Sequence, residues 1–107
     1  MQEKDLKSIK IIDLEIKRIE RVLNGLNNSK GSQGLIDEYT ILLYSKENDL
    51  IAKKIALEKY IATIDDAEIR LILTLRFIDL KSWNYISKKL HYDRTTVYKK
   101  FKAFISQ

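Results

Sequence analysis

No cysteine occurs in the 107 residues, so neither a disulfide framework nor a thiolate metal site can form. Proline is also absent and glycine is limited to three. Without the residues that stop helices and shape tight turns, long uninterrupted helices are expected and strand-and-turn architectures are disfavoured. Histidine occurs once, at His91, which excludes a His-pair metal site and, with no cysteine, a Cys–His catalytic pair. No apolar run approaches the roughly 18 residues of a membrane span. The stretch Met1–Lys10 alternates charges and has no apolar core, so a secretory leader is not expected there. A Gly-rich phosphate loop and a Ser/His/Asp set are missing as well. The expectation is a soluble, cytoplasmic chain that is not an enzyme and takes no cofactor and no metal.

What is present is unevenly distributed charge. From Lys81 to Gln107 there are seven Lys/Arg residues (Lys81, Lys88, Lys89, Arg94, Lys99, Lys100, Lys102) against the single acid Asp93, a balance of +6. The preceding 80 residues carry 13 basic and 14 acidic side chains, a balance of −1. A basic segment joined to a balanced body directs the field to one address. Clustered Lys/Arg is what phosphate contacts require, because each neutralised phosphate releases condensed counterions.

Hydrophobic spacing predicts helices throughout. Over Glu3–Asn27, residues Ile9, Ile12, Ile16, Ile19, Leu23 and Leu26 recur at steps of 3, 4, 3, 4 and 3, an a/d seam. The small polar stretch Ser29–Gly34 reads as a connection. A second helix over Ile36–Ala62 repeats Ile36, Leu43, Leu50, Leu57 and Ile64 every seven residues, with Ile51, Ile55 and Ile61 widening the stripe. Tyr39, Tyr44 and Tyr60 fall near that stripe and are expected in a core or an interface. Two striped helices on a short loop fold back as an antiparallel hairpin. Such a hairpin buries little by itself, so it needs the C-terminal helices or a second copy of the chain. A homodimer through these N-terminal helices is expected.

The remainder reads as a three-helix unit. Asp65-Asp66-Ala67-Glu68 has the form of a capping box, a carboxylate followed three residues later by Glu. That role fits these acids better than paired acid–base catalysis. The helix Asp66–Phe77 buries Ile69, Ile72, Leu73 and Phe77. Ser82 caps a short helix Trp83–Leu90, with Trp83 expected against the upstream helix. After the turn His91-Tyr92-Asp93, Asp93 caps Arg94–Ile105. These last two helices fit helix-turn-helix grammar. Ile86 and small Ser87 lie where the helices cross, Leu90 ends the first helix, Tyr92 sits in the turn, and Val97 anchors the second. His91 stands where many such motifs place glycine in a left-handed conformation.

By position, Arg94, Thr95 and Thr96 in the first turn of the last helix would reach base edges, and Tyr98 and Lys99 lie one turn on. Lys88, Lys89, Lys100 and Lys102 read as phosphate clamps. The division expected is residues 1–64 as a helical hairpin for oligomerisation or partner binding, and residues 65–107 as a DNA-binding domain. The fold class is all-α.

The stretch Asp66–Phe104, above all LRFIDLKSWNYISKKLHYDRTTVYKKFKAFI (Leu75–Ile105), resembles the sigma factor region 4 type of helix-turn-helix. It is similar to small phage and prophage regulators of the ArpU and RinA kind. The matching features are Leu75-Arg76-Phe77 at the end of the first helix, Ser82-Trp83 before Ile86-Ser87, and Asp93-Arg94-Thr95-Thr96-Val97 opening the last. The resemblance implies binding to double-stranded DNA and transcriptional control. Two other readings stay open. One is a DNA-packaging subunit of the small-terminase type. The other is a protein-binding module whose hairpin docks RNA polymerase, a repressor or a host enzyme.

Overall fold

The computed structural model describes residues 1–26 and 31–107. The fold is all-α: α1 (Glu3–Leu26), α2 (Gln33–Ala62), α3 (Ala67–Leu73) running into a π-helical turn (Thr74–Ile78), α4 (Trp83–Leu90) and α5 (Arg94–Ile105). Of the expected connection, Ser29 and Lys30 lie outside the described residues, as do Asn28 and Asn27, the latter the expected end of the first helix. Gln33 and Gly34, also assigned to that connection, open α2 instead.

Packing divides the chain elsewhere than at residue 64. One compact unit holds residues 11–55; the other holds residues 1–10 together with 56–107. In the first, Ile12, Ile16, Ile19 and Leu23 of α1 and Leu43 and Leu50 of α2 are buried. The Lys54 ammonium bonds Asp13 at 2.7 Å, which pairs residues remote from the connection and fixes the helices as antiparallel. Ile51, Ile55, Tyr39 and Tyr44 do not join this core; all four are exposed. One partner helix covers only a narrow strip of α2, and Ile51 and Ile55 lie about a third of a turn round from Leu43 and Leu50.

The second unit has one continuous core made of Leu6, Ile9, Ile61, Ile69, Ile72, Leu73, Phe77, Ile86, Val97 and Phe101. Tyr60 and Ile64 pack against its edge. The first turns of α1 and the last turns of α2 are therefore parts of the unit that carries α3–α5.

Local chemistry departs from expectation at α3. The cap is Asp66, whose carboxylate accepts from the Glu68 and Ile69 backbone N–H groups at 2.9 and 3.2 Å. No capping box forms at Asp65, because the Glu68 carboxylate turns to Tyr92 and Lys100 instead. The expected helix to Phe77 is α-helical only to Leu73. Beyond it the Asp79 N–H reaches back five residues to the Thr74 carbonyl at 2.9 Å, a π turn. Leu80 in the left-handed region (φ 57°) then ends the segment, with the Lys81 N–H on the Leu75 carbonyl at 2.8 Å.

Candidate nucleic-acid interface

Both ends of α4 and the start of α5 are set by specific hydrogen bonds. The Tyr85 N–H donates to Ser82 Oγ at 3.1 Å to open α4. At its other end His91 is left-handed (φ 58°, ψ 34°). The His91 N–H donates to the Lys88 carbonyl at 3.4 Å and the Tyr92 N–H to the Ser87 carbonyl at 3.1 Å. That paired pattern is a Schellman closure, which satisfies carbonyls left over at a helix end and reverses the chain sharply. Asp93 then accepts from the Thr96 N–H at 2.7 Å. The hydrogen bonds from Thr96, backbone first and side chain second, hold the Asp93 carboxyl below its ordinary value.

Ile86, Val97 and Phe101 are fully enclosed where α4 meets α5, and Ser87 is buried beside them. A small side chain there lets the two backbones approach. Its hydroxyl donates to the Asn84 carbonyl at 2.8 Å, so no polar group is stranded.

Val97 and Phe101 take the inner face of α5, and Arg94, Thr95 and Lys99 are exposed, with Thr96 half-buried at the edge. Tyr98 is exposed on one side, but its ring stands edge-on to Trp83 with centroids 5.4 Å apart. Trp83 also meets Phe101 at 5.3 Å and lies under the Arg76 guanidinium at 4.8 Å. The Arg76 contact comes from the upstream segment against which the sequence placed Trp83, and its aromatic contacts are with α5. Trp83, Arg94, Thr95 and Tyr98 line a cleft of about 390 Å³ at the start of α5.

The four lysines read as phosphate clamps separate into two pairs. Lys88 and Lys89 are exposed in the last turn of α4. Lys100 and Lys102 are engaged with acids from other elements: Lys100 with Glu68 at 3.4 Å and Lys102 with Glu3 at 3.1 Å. They also stand over aromatic rings, Lys100 over Tyr92 at 5.1 Å and Lys102 over Tyr98 at 5.7 Å. The bond from Lys102 keeps the Glu3 carboxyl below its ordinary range, and Glu3 in turn raises the Lys102 ammonium. The same Glu68 accepts from the Tyr92 hydroxyl at 2.7 Å and thereby raises the phenol.

Two residues that the sequence reading passed over belong to this surface. Tyr85 is exposed on α4, with the Lys81 ammonium 5.1 Å and the Lys89 ammonium 5.5 Å from its ring. The step of four from Tyr85 to Lys89 was a legible signal for one shared helix face, whereas Lys81 reaches the ring from ahead of the Ser82 cap. Arg76 leaves the π turn to cover Trp83 and donates to the Lys81 carbonyl at 3.1 Å. No spacing rule for a regular helix announces that contact.

Among the described residues there is no group of three or more His, Cys, Asp or Glu able to hold a metal ion, and no helix long and apolar enough to cross a membrane. No curated protein and no solved structure matches the chain. A family model described as "Protein of unknown function (DUF1492)" matches residues 34–107, nearly all of α2 and everything after it. With most of its length covered by that match, including the whole α4–turn–α5 element, the chain belongs to the DUF1492 family.

Proposed function

We propose that this protein is a DNA-binding transcriptional regulator, encoded by a phage or prophage, that inserts the start of α5 into the major groove of double-stranded DNA. The observation that carries this reading is the division of labour on α5. Val97 and Phe101 are spent on the core, while Arg94, Thr95 and Lys99 stand exposed in the first turns after a sharp, capped reversal. A helix displayed that way matches the groove in width, and its first turns are where side chains meet base edges. Arg94 is suited to a bidentate contact with guanine. Thr95 and Thr96 are suited to a base edge or a thymine methyl, and the cleft beside Trp83 and Tyr98 leaves room for one. Lys99, Lys88 and Lys89, with Lys81 across Tyr85, supply backbone contacts.

Lys100 and Lys102 hold α5 in place through Glu68 and Glu3, so they are assigned a positioning role ahead of a phosphate contact. With four phosphate contacts, log K should fall with log salt at a slope of about −3.6, a loss of roughly 150-fold between 50 and 200 mM. Fluorescence anisotropy on duplexes from the DNA flanking its own gene tests this. Arg94→Glu and Lys99→Glu should each lower affinity at least tenfold with helical content unchanged. Absence of DNA retention at low salt would overturn the proposal and leave a protein-binding module as the better reading. A ring-sized assembly in solution would favour a packaging subunit.

A further inference from the structure

The face of α2 away from α1 carries a second seam. Ile41, Tyr44, Asn48, Ile51 and Ile55 recur at steps of 3, 4, 3 and 4, and every one is exposed. They are distinct from Leu43 and Leu50, which serve the intramolecular core. Exposures of 70% at Ile41, 53% at Tyr44, 37% at Ile51 and 45% at Ile55 leave about 400 Å² of apolar side chain in water. A patch of that size is about the largest a typical monomer leaves exposed, and such patches are often functional.

We propose that this seam is a homodimer interface, in which α2 packs parallel and in register against α2 of a second copy, with the two Asn48 side chains facing each other across the two-fold axis. The positions select this occupant. In heptad terms Ile41, Asn48 and Ile55 take the a sites and Tyr44 and Ile51 the d sites. Branched Ile at a with one polar Asn among them is the pattern that fixes a parallel two-stranded pair and its register. Tyr44 and Ile51 depart from the leucine favoured at d.

A lone Asn in an apolar seam needs a partner that both donates and accepts, and its own twin supplies this by symmetry. One flank of the seam is small and uncharged at Ser45 and Ala52, which allows close approach, while the other carries Thr40, Glu47 and Lys54. Between Leu35 and Ile55 the balance is four acids to three bases, so neither a strongly charged partner nor self-repulsion is indicated. The four apolar side chains supply about half of the ~800 Å² per partner that a stable dimer buries. Ser45, Asn48 and Ala52 extend the contact. The proposal does not depend on DNA binding.

Sedimentation equilibrium of the full chain without DNA should give twice the chain mass of 12.6 kDa. The double variant Ile41→Lys/Ile55→Lys should run as a monomer with unchanged helical circular dichroism, since both positions are exposed in the single chain. Because the protein has no cysteine, Asn48→Cys introduces a unique thiol. It should form a covalent dimer under mild oxidation, whereas Lys17→Cys on α1 should not. A wild-type monomer at high micromolar concentration would overturn the proposal. So would a ring-sized assembly, a dimer that survives both lysines, or cross-linking at Lys17→Cys but not at Asn48→Cys.

Discussion

Replacing His91 with glycine tests the geometry on which the display of α5 depends. His91 ends α4 at φ 58° and ψ 34°, where a side chain's Cβ crowds the following carbonyl at a cost of about 1–2 kcal/mol. Histidine is among the non-glycine residues that tolerate this region best, which puts the cost at the lower end. Glycine removes that strain but gains freedom in the unfolded chain, returning about 0.4–1 kcal/mol. The net expectation is a gain of about 0.5 kcal/mol for His91→Gly. His91→Val should lose more than about 1 kcal/mol, because a branched side chain adds its own clash to the same φ. Urea unfolding followed by far-UV circular dichroism resolves these differences as shifts in midpoint at constant slope. The order expected is Gly, then Asn and His, then Ala, then Val. If His91→Val were as stable as His91→Gly, the reversal between α4 and α5 would not be left-handed and the helix-turn-helix geometry would fail with it.

Phe101→Ala should destabilise by about 3–5 kcal/mol, since the ring is fully enclosed and meets Phe77, Trp83 and Tyr98; a loss under 1 kcal/mol in the same assay would contradict this core. Asp66→Ala should cost about 1 kcal/mol by stranding the N–H groups of α3, whereas Asp65→Ala should be close to neutral. The pH profile follows from Glu3 and Asp93, whose carboxyls sit below their ordinary values of 4.5 and 3.8 in the folded protein. Their contribution is complete above those values and disappears as pH falls through the lowered folded ones. Urea midpoints should therefore decline on acidification below about pH 4.5. Glu3→Gln should flatten part of that decline, and an unchanged acid limb would refute the role of the Glu3–Lys102 bond.

Legibility differed from element to element for physical reasons. The α1 seam was readable because its steps follow the heptad that faces a partner helix. Leu6 was not, since the strict heptad before Ile9 falls on Asp5, while the true helical repeat of 3.6 brings Leu6 into the core. In α2 the seven-residue repeat from Ile36 drew attention to one face and hid the second seam among apolar residues that surround the helix. The π turn at Thr74–Ile78 rests on a shift in backbone pairing, which no side-chain pattern encodes. Local rules for caps and first turns put Asp93 at the cap of α5 and Arg94, Thr95 and Lys99 on its exposed side, where the structure has them. The ion pairs of Lys100 and Lys102 were not legible because their acidic partners, Glu68 and Glu3, are distant in sequence. Local reasoning cannot reach across 99 positions.

The bond between Glu3 and Lys102, with Leu6 and Ile9 in the same core as Val97 and Phe101, has a consequence for how the protein is made. On the ribosome, residues 3 to 9 emerge well before Val97 and Phe101 and have no completed site to occupy until almost a hundred further residues have followed. A nascent chain can close the hairpin early, but the unit bearing α5 must wait for its final turns. A fragment starting at residue 65 would lack three of that core's ten side chains, Leu6, Ile9 and Ile61, and should not be expected to fold as the intact protein does.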